Sequence, residues 1–396
     1  MRIRTITADN FKSLVDFRLD LAKFNCLIGL NGSGKSTVLQ FIDFLAQQVR
    51  GDITGWLKER NWRPNEVGSR LTTKKNIEFS VTLTDDSGKT ATWEASFNPA
   101  QLHCTHERIS VENARLDVRG GTVVVSERQP SPPGTSTTSA SPHEVSFTYE
   151  GSILSQLRES TLPSALKKFK AFFQNVKSLD LLSPEHLRQR TREAAGSLGL
   201  GGQKLSAFLH ELGPARRREL TARLQQVYPQ LETLHVKSLR SGWKQLEITE
   251  SYPGNGTSGF FPRMTTEARH INDGMLRLMA VLAELQTDHQ FVLFDEIENG
   301  VNPELVEFLL DALVSASQQV LVTTHSPMIL NYLEDDVAEE GVLYLYKTLQ
   351  GSTQAIPFFS ISSLKRKLSV MGPGEVFVDT DLTRLYEEIA ERTGGA

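Results

Sequence analysis

The stretch Gly29-Leu30-Asn31-Gly32-Ser33-Gly34-Lys35-Ser36-Thr37 constrains this chain more than any other, because it fits G-x-x-x-x-G-K-[ST], the P-loop. The residue types follow from the task. Glycines let successive backbone N–H groups turn inward around a triphosphate, where side chains would block them. Lys35 supplies a point charge for the β- and γ-phosphates, and Ser36 a hydroxyl for Mg²⁺. The flanks agree. Phe24-Asn25-Cys26-Leu27-Ile28 reads as a buried strand and Ser36 to Gln48 as a helix, so the phosphates would sit at a helix N-terminus. Gly29, Asn31, Gly32, Ser33, Gly34, Lys35, Ser36 and Thr37 are the candidate phosphate-binding residues, with Ser36 also a metal ligand.

The 396 residues allow two or three domains, or one domain with large insertions. Hydrophobic residues make up 39% and charged residues 23%, as expected for a soluble globular chain. A formal net charge of −4 gives no global basic field, so nucleic-acid binding would need a local patch. Cys26 and Cys104 are the only cysteines; with Cys26 in the predicted strand, a disulfide framework is not expected and a reducing cytosol fits. No apolar run is long enough to span a bilayer and the N-terminus lacks a signal-peptide core, so a cytoplasmic protein is expected.

Alternation predicts strands over Ile3 to Ala8, Phe17 to Leu21, Asn76 to Leu83 and Thr90 to Phe97, and two more between Arg108 and Val125 around Gly120-Gly121. Together with the P-loop they form a first ATPase lobe, residues 1–127, carrying an antiparallel β subdomain. Gly51 to Arg70 gives no assignable pattern. Residues 128–145, rich in Ser, Thr and Pro, are expected to be a disordered loop. Residues 146–250 read as a helical insertion with a β-hairpin at Ser241-Gly242. In it Leu166, Phe169, Phe173 and Val176 share a face, and Pro184 and Pro214 sit at helix starts. Residues 251–348 read as a second lobe of alternating helix and strand, which implies a parallel sheet. Residues 349–396 are a tail with two possible strands and a basic Leu364-Lys365-Arg366-Lys367-Leu368.

Phe291-Val292-Leu293-Phe294-Asp295-Glu296 is an apolar strand ending in two carboxylates, a Walker B pattern. Such a strand buries both faces and delivers its carboxylates at the edge of a parallel sheet where the P-loop also lies. Asp295 would hold Mg²⁺ through water, and Glu296 would act as general base on the attacking water. One strand–helix unit later, Val320-Leu321-Val322-Thr323-Thr324-His325-Ser326-Pro327 brings His325 to the same edge, where a γ-phosphate sensor belongs.

The order of these motifs resembles an ABC-type ATPase head, and more narrowly the SMC/RecF/OLD-like group, often called AAA15/AAA21 ATPases. Asn10-Phe11-Lys12-Ser13 is similar to the group's "N-F-K-S", and Asp295-Glu296-Ile297-Glu298-Asn299-Gly300-Val301-Asn302-Pro303 to its Walker B and D-loop. Thr323-Thr324-His325-Ser326-Pro327 is similar to its H-loop. The likeness covers residues 1–100 and 265–348. It implies a P-loop NTPase of ABC type, α/β, with a mixed-sheet core, an antiparallel β subdomain and a compact helical insertion. Catalysis would fall to Lys35, Glu296 and His325, and Lys12 would line the nucleotide or be a solvated turn lysine. The signature loop should open the helix before Walker B. Asn272-Asp273-Gly274 sits there, with Asn272 where the group has Ser and Asp273 where it has Gly. Asn can donate to phosphate, whereas Asp273 is unfavourable unless it faces away or pairs with a cation, so slow hydrolysis is expected. Leu200-Gly201-Gly202-Gln203 is read as a turn. No Q-loop glutamine is evident, and Gln47 and Gln48 are expected to be exposed.

The resemblance further implies ATP and Mg²⁺ as cofactors and a homodimer with ATP sandwiched between copies. Proline and glycine throughout the insertion exclude a long coiled coil, and there is no C-x-x-C for a zinc hook. The tail shows no acidic cluster of nuclease type, so a nuclease would be a separate effector chain. The expected role is a switch or loader for that effector, on DNA, in anti-phage defence or DNA repair, without a membrane partner. The candidate basic surfaces are Lys167, Lys168 and Lys170; Arg216, Arg217 and Arg218; and Arg188, Arg190 and Arg192. The alternatives are a transporter ATPase subunit and an ATP-binding scaffold that barely hydrolyses.

Overall fold

The helix Lys35–Arg50 starts where Gly34 takes a left-handed φ of 110° and stops where Gly51 does so at 77°, its N–H donating to the Gln47 carbonyl. Between them Val38, Leu39, Phe41, Ile42, Phe44, Leu45 and Val49 are buried, so the helix lies inside its unit. This computed structural model describes residues 1–128, 138–179, 182–252, 263–385 and 389. It divides into two compact units. One comprises Met1–Val176, Glu339–Arg366 and Thr380–Ala396, the other Lys177–Ala338 and Lys367–Asp379.

In the first unit, eight strands form an antiparallel sheet in the order Phe17–Asp20, Arg2–Asp9, Ile77–Thr84, Thr90–Asn98, His103–Val111, Ala114–Arg119, Thr122–Arg128 and Thr138–Glu144. Alternation puts Ile77, Phe79, Val81 and Leu83 on the buried face. Phe41 and Phe44 of the helix meet that face: Phe44 and Phe97 lie edge to face at 5.1 Å, and Phe41 and Phe79 at 6.3 Å. Each such ring contributes roughly 1.5–3 kcal/mol through burial. The helix Ser164–Gln174 adds Phe169 and Phe173 against Trp93. Phe24–Ile28 pairs in parallel with Val342–Lys347, which pairs antiparallel with Thr353–Pro357.

The sequence expectations for this unit need four corrections. Where two strands were expected between Arg108 and Val125 there are three, because Glu112 takes a left-handed φ of 52° and turns the chain early. Residues 138–144 are an edge strand paired with Thr122–Arg128, not part of a disordered loop over 128–145. A polar strand needs no hydrophobic face when a neighbour's ladder satisfies its backbone. Residues 129–137 lie outside the described residues. Gly51 to Arg70 holds a helix, Ile53–Glu59, anchored by Trp56, whose Nε1 donates to Asp43 at 2.6 Å. Gln48, expected to be exposed, is fully buried, and its carbonyl accepts from Ser152 N at 2.8 Å.

The second unit holds the parallel pair Phe291–Phe294 and Gln319–Thr323, buried on both faces. It also holds the largely buried helix Asp273–Glu284 and an antiparallel sheet of Leu231–Ser238, Lys244–Ser251 and Arg263–Glu267. That third strand joins residues on both sides of the 250/251 boundary drawn from sequence. The tail beyond 349 is no appendage either. Thr353–Pro357 is a strand of the first unit, while Pro373–Val378 packs in the second against Pro327–Asn331, where Gly374 is crowded by Asn331 and the Pro327 carbonyl.

Candidate functional site

In the first unit the P-loop is shaped by two close approaches. A Cβ on Gly29 would strike the Leu345 carbonyl, and one on Gly34 would strike the Thr353 hydroxyl. Both glycines have positive φ, 146° and 110°. Lys35 is buried and its Nζ donates to the carbonyls of Gly29 at 2.8 Å and Leu30 at 3.3 Å. Asn31 and Gly32 are exposed on the loop, and Ser36 is exposed in the first turn of the helix Lys35–Arg50. Ser33 Oγ is buried and has no hydrogen-bond partner among the described residues, and an orphaned hydroxyl inside a glycine cradle is what a phosphate oxygen would satisfy. The donor set therefore fits a phosphate group.

Lys12 lies at the turn after the first strand with a left-handed φ of 46°. Its Nζ donates to Gln40 Oε1 at 2.9 Å and sits 3.1 Å from the Trp62 ring centroid. It is not a freely solvated turn lysine.

The second unit assembles the acidic half around Thr323, which is fully buried. Its hydroxyl donates to Asp295 Oδ1 at 2.5 Å and accepts from Glu296 N at 2.8 Å. Its carbonyl accepts from Ile297 N at 3.2 Å. One residue thus fixes the Asp295 carboxylate and the Glu296 backbone at the end of the neighbouring strand. Glu296 is held with a left-handed φ of 48°, which is costly for a residue with a Cβ. Its Oε1 lies 4.0 Å from His325 Nε2, and its Oε2 accepts from Asn299 Nδ2 at 3.4 Å. Glu298 Oε1 accepts from His325 N at 2.8 Å. Asp295, Glu296 and His325 are therefore brought together. Among the described residues no group of three or more His, Cys, Asp or Glu could hold a metal.

Asn272 is the N-cap of the helix Asp273–Glu284, its Oδ1 accepting from Met275 N at 2.8 Å. Asp273 is paired with Arg188, whose Nη2 also donates to the Ile271 carbonyl at 2.8 Å. The carboxylate that sequence marks as awkward beside phosphate is thus neutralised by a residue far away in the chain. Gly274 lets the helix start approach the turn at Gly300; a Cβ there would lie 3.1 Å from the Gly300 carbonyl. Arg277 is buried below. Burial lowers its pKa, opposed by Asp273 and Glu296. Gly201-Gly202-Gln203 forms a turn, with Gly201 N donating to Gln203 Oε1 at 3.1 Å.

The basic surfaces shrink on inspection. Lys170 is buried, donating to the carbonyls of Ser155 and Leu157. Arg188 serves Asp273, Arg190 pairs with Glu267 at 3.2 Å, and Arg216 pairs with Asp288 at 3.3 Å. Arg217 donates to the carbonyls of Leu209 and His210, and Arg192 lies 5.0 Å over Trp243. Arg190, Arg192 and Arg216 are exposed but engaged in these contacts, and Lys167, Lys168 and Arg218 are exposed outside them. Charge runs read from sequence overcount because they cannot reveal these partners.

Two sequence comparisons cover much of the chain. Residues 1–177 match the family model described as "AAA ATPase domain", and residues 264–331 match "AAA domain, putative AbiEii toxin, Type IV TA system". No curated protein matches the sequence. Among solved structures, the chain is similar to an SMC head bound to the C-winged helix domain of ScpA, with a TM-score of 0.54 at 12% identity over 90% of this chain and 98% of that one. It is also similar to an SMC head with an extended coiled coil, bound to the C-terminal domain of ScpA from Pyrococcus furiosus. There the TM-score is 0.53 at 11% identity, over 93% of this chain and 99% of that one. At these identities the likeness shows a shared fold, that of the SMC head.

Proposed function

We propose that this chain, an ABC-type P-loop ATPase of the SMC/RecF-like group, binds ATP with Mg²⁺ between two copies of itself and hydrolyses it slowly to switch a partner effector. In this reading the backbone N–H groups of residues 29–36 and the Lys35 ammonium hold the β- and γ-phosphates. The Ser36 hydroxyl would bind Mg²⁺ directly and Asp295 would hold it through water. Mg²⁺ would neutralise the charge that builds on the phosphate oxygens. Glu296 takes the proton from the attacking water, and His325 donates to the γ-phosphate. Asn272 and Gly274 of the second copy close the site. With its Oδ1 committed to the helix cap, Asn272 presents its NH₂ as the remaining donor. Arg188 keeps Asp273 from repelling the nucleotide.

The observation that carries the reading is the Thr323 hydroxyl, bonded at once to Asp295 and to the Glu296 backbone, with His325 4.0 Å from Glu296. A glutamate held in a strained backbone by a buried hydroxyl, beside a histidine and a second carboxylate, supports a role in water activation. SMC heads have been solved bound to ScpA; by analogy we assign this chain a separate effector protein, such as a nuclease. DNA, defence against phage and DNA repair belong to the same proposal.

The test is steady-state ATP turnover with light scattering. Glu296→Gln should lower turnover by about 10²–10⁴-fold and trap a dimer when ATP and Mg²⁺ are added. Equal turnover in wild type and Glu296→Gln would make the chain an ATP-binding scaffold instead.

A further inference from the structure

The strand Thr353–Pro357 lies in the tail, which the sequence motifs leave without a role, yet its first residue touches the P-loop directly. Thr353 is fully buried. Its hydroxyl donates to the Ser33 carbonyl at 2.8 Å. Its Oγ1 also lies 2.8 Å from Ser13 Oγ and accepts from Lys347 Nζ at 3.0 Å. A hydroxyl has one proton and two lone pairs. With the proton given to Ser33, Ser13 must be the donor in its own contact, and the Thr353 oxygen is saturated. Thr353 N also donates to the Ser13 carbonyl at 2.8 Å. The residue therefore ties three parts of the unit to one atom: the turn after the first strand, the P-loop and the hairpin Val342–Pro357.

The contact with Ser33 fixes more than a distance. In a trans peptide the C=O and the following N–H point in opposite directions. Holding the Ser33 carbonyl on Thr353 therefore turns the Gly34 N–H away from Thr353. Gly34 has no Cβ because one would strike Thr353. Lys347 is half-buried behind the same peptide and makes no ion pair among the described residues. Its charge therefore lies next to the loop rather than being spent on a carboxylate, and buried charge acts more strongly than exposed charge.

We propose that Thr353 and Lys347 are positioning residues for the phosphate site: Thr353 aims the Gly34 N–H at the nucleotide, and Lys347 holds Thr353 while adding a second positive charge behind the loop. This rests on the reading of residues 29–36 as a triphosphate cradle. The step involves no covalent chemistry; the two residues raise affinity for the β- and γ-phosphates without touching them.

The experiment titrates fluorescent ATP and ADP analogues into full-length wild type, Lys35→Ala, Thr353→Val, Thr353→Ser and Lys347→Met, with thermal unfolding of each nucleotide-free protein. Thr353→Val keeps the shape and removes the hydroxyl. It should weaken ATP analogue binding by about tenfold, in keeping with one lost charge-orienting hydrogen bond, while Thr353→Ser stays within about threefold of wild type. Lys347→Met should weaken ATP more than ADP, because its role is electrostatic. Binding by Thr353→Val and Lys347→Met equal to wild type, while Lys35→Ala abolishes it, overturns this proposal and leaves the cradle standing. No binding by wild type overturns both. Should Thr353→Val fail to fold, Lys347→Met against Thr353→Ser decides: wild-type affinity in both overturns the proposal, and loss in the first alone supports it.

Discussion

Replacing Thr323 by valine removes one oxygen and adds one methyl at a fully buried position. Two interactions go with the oxygen: the donor to Asp295 at 2.5 Å and the acceptor for Glu296 N at 2.8 Å. A hydrogen bond to a charged group is worth about 1.5–3 kcal/mol, and a buried N–H left unpaired costs about 1–3 kcal/mol. The left-handed Glu296 backbone adds about 1–2 kcal/mol of strain that these contacts now restrain. The cheapest relaxation is for residue 296 to leave its strained conformation and carry the carboxylate away from His325. The loss then appears mainly in the chemical step. A transition-state penalty of about 2–3 kcal/mol corresponds to a fall of roughly 30–150-fold in kcat. Phosphate-release assays at saturating ATP measure this, with nucleotide titration alongside. Affinity should stay within about threefold, because the P-loop residues are unaltered, and Thr323→Ser should recover most of the rate. A Thr323→Val enzyme that turns over within twofold of wild type would refute the claim that Thr323 holds the general base in place.

Three further outcomes follow from the same contacts. Glu107 is buried, accepts from Trp93 Nε1 at 2.9 Å and Ile153 N at 3.1 Å, and burial raises its pKa to about 7. A carboxyl raised above its unfolded value favours folding in its protonated form. That contribution is complete below about pH 4.5 and is lost as pH rises towards about 7, amounting to about 2 kcal/mol between pH 5.5 and pH 8. Urea unfolding of wild type and Glu107→Gln at both pH values should show the variant's pH dependence flattened by that amount; identical slopes would contradict it. Arg188→Ala should lower ATP turnover by about 3–10-fold by exposing the Asp273 charge, and adding Asp273→Gly should restore it; a double variant no better than the single one removes Arg188 from the site. Gly34→Ala should abolish nucleotide binding and cost more than about 1 kcal/mol of stability, since φ is 110° and Thr353 occupies the space; a normal titration and unfolding curve would count against the loop geometry.

The local motifs were readable because each needs few residues with distinctive types. Gly29 to Ser36, Asp295-Glu296 and His325 stand out by spacing, and the strands that carry them are mostly apolar and buried throughout. What escaped were contacts between residues remote in the chain. Nothing near Thr353 marks it as a neighbour of Ser33, and nothing near Arg188 marks it as the partner of Asp273. The edge strand Thr138–Glu144 was hidden for a different reason: its composition is that of a loop, and only the backbone ladder of its neighbour makes it a strand. Gln48 misled in the opposite sense, a polar residue near a helix end that is buried beneath Gly151.

A crystal structure of Glu296→Gln grown with ATP and Mg²⁺ tests the central claim most directly. The account predicts one triphosphate with Lys35 Nζ on its β- and γ-oxygens, Asp295 about one water from the metal, His325 at the γ-phosphate, and Asn272 and Gly274 arriving from a second copy. Lys35 and Asp295 serving different surfaces, or nucleotide bound away from residues 29–36, would contradict it.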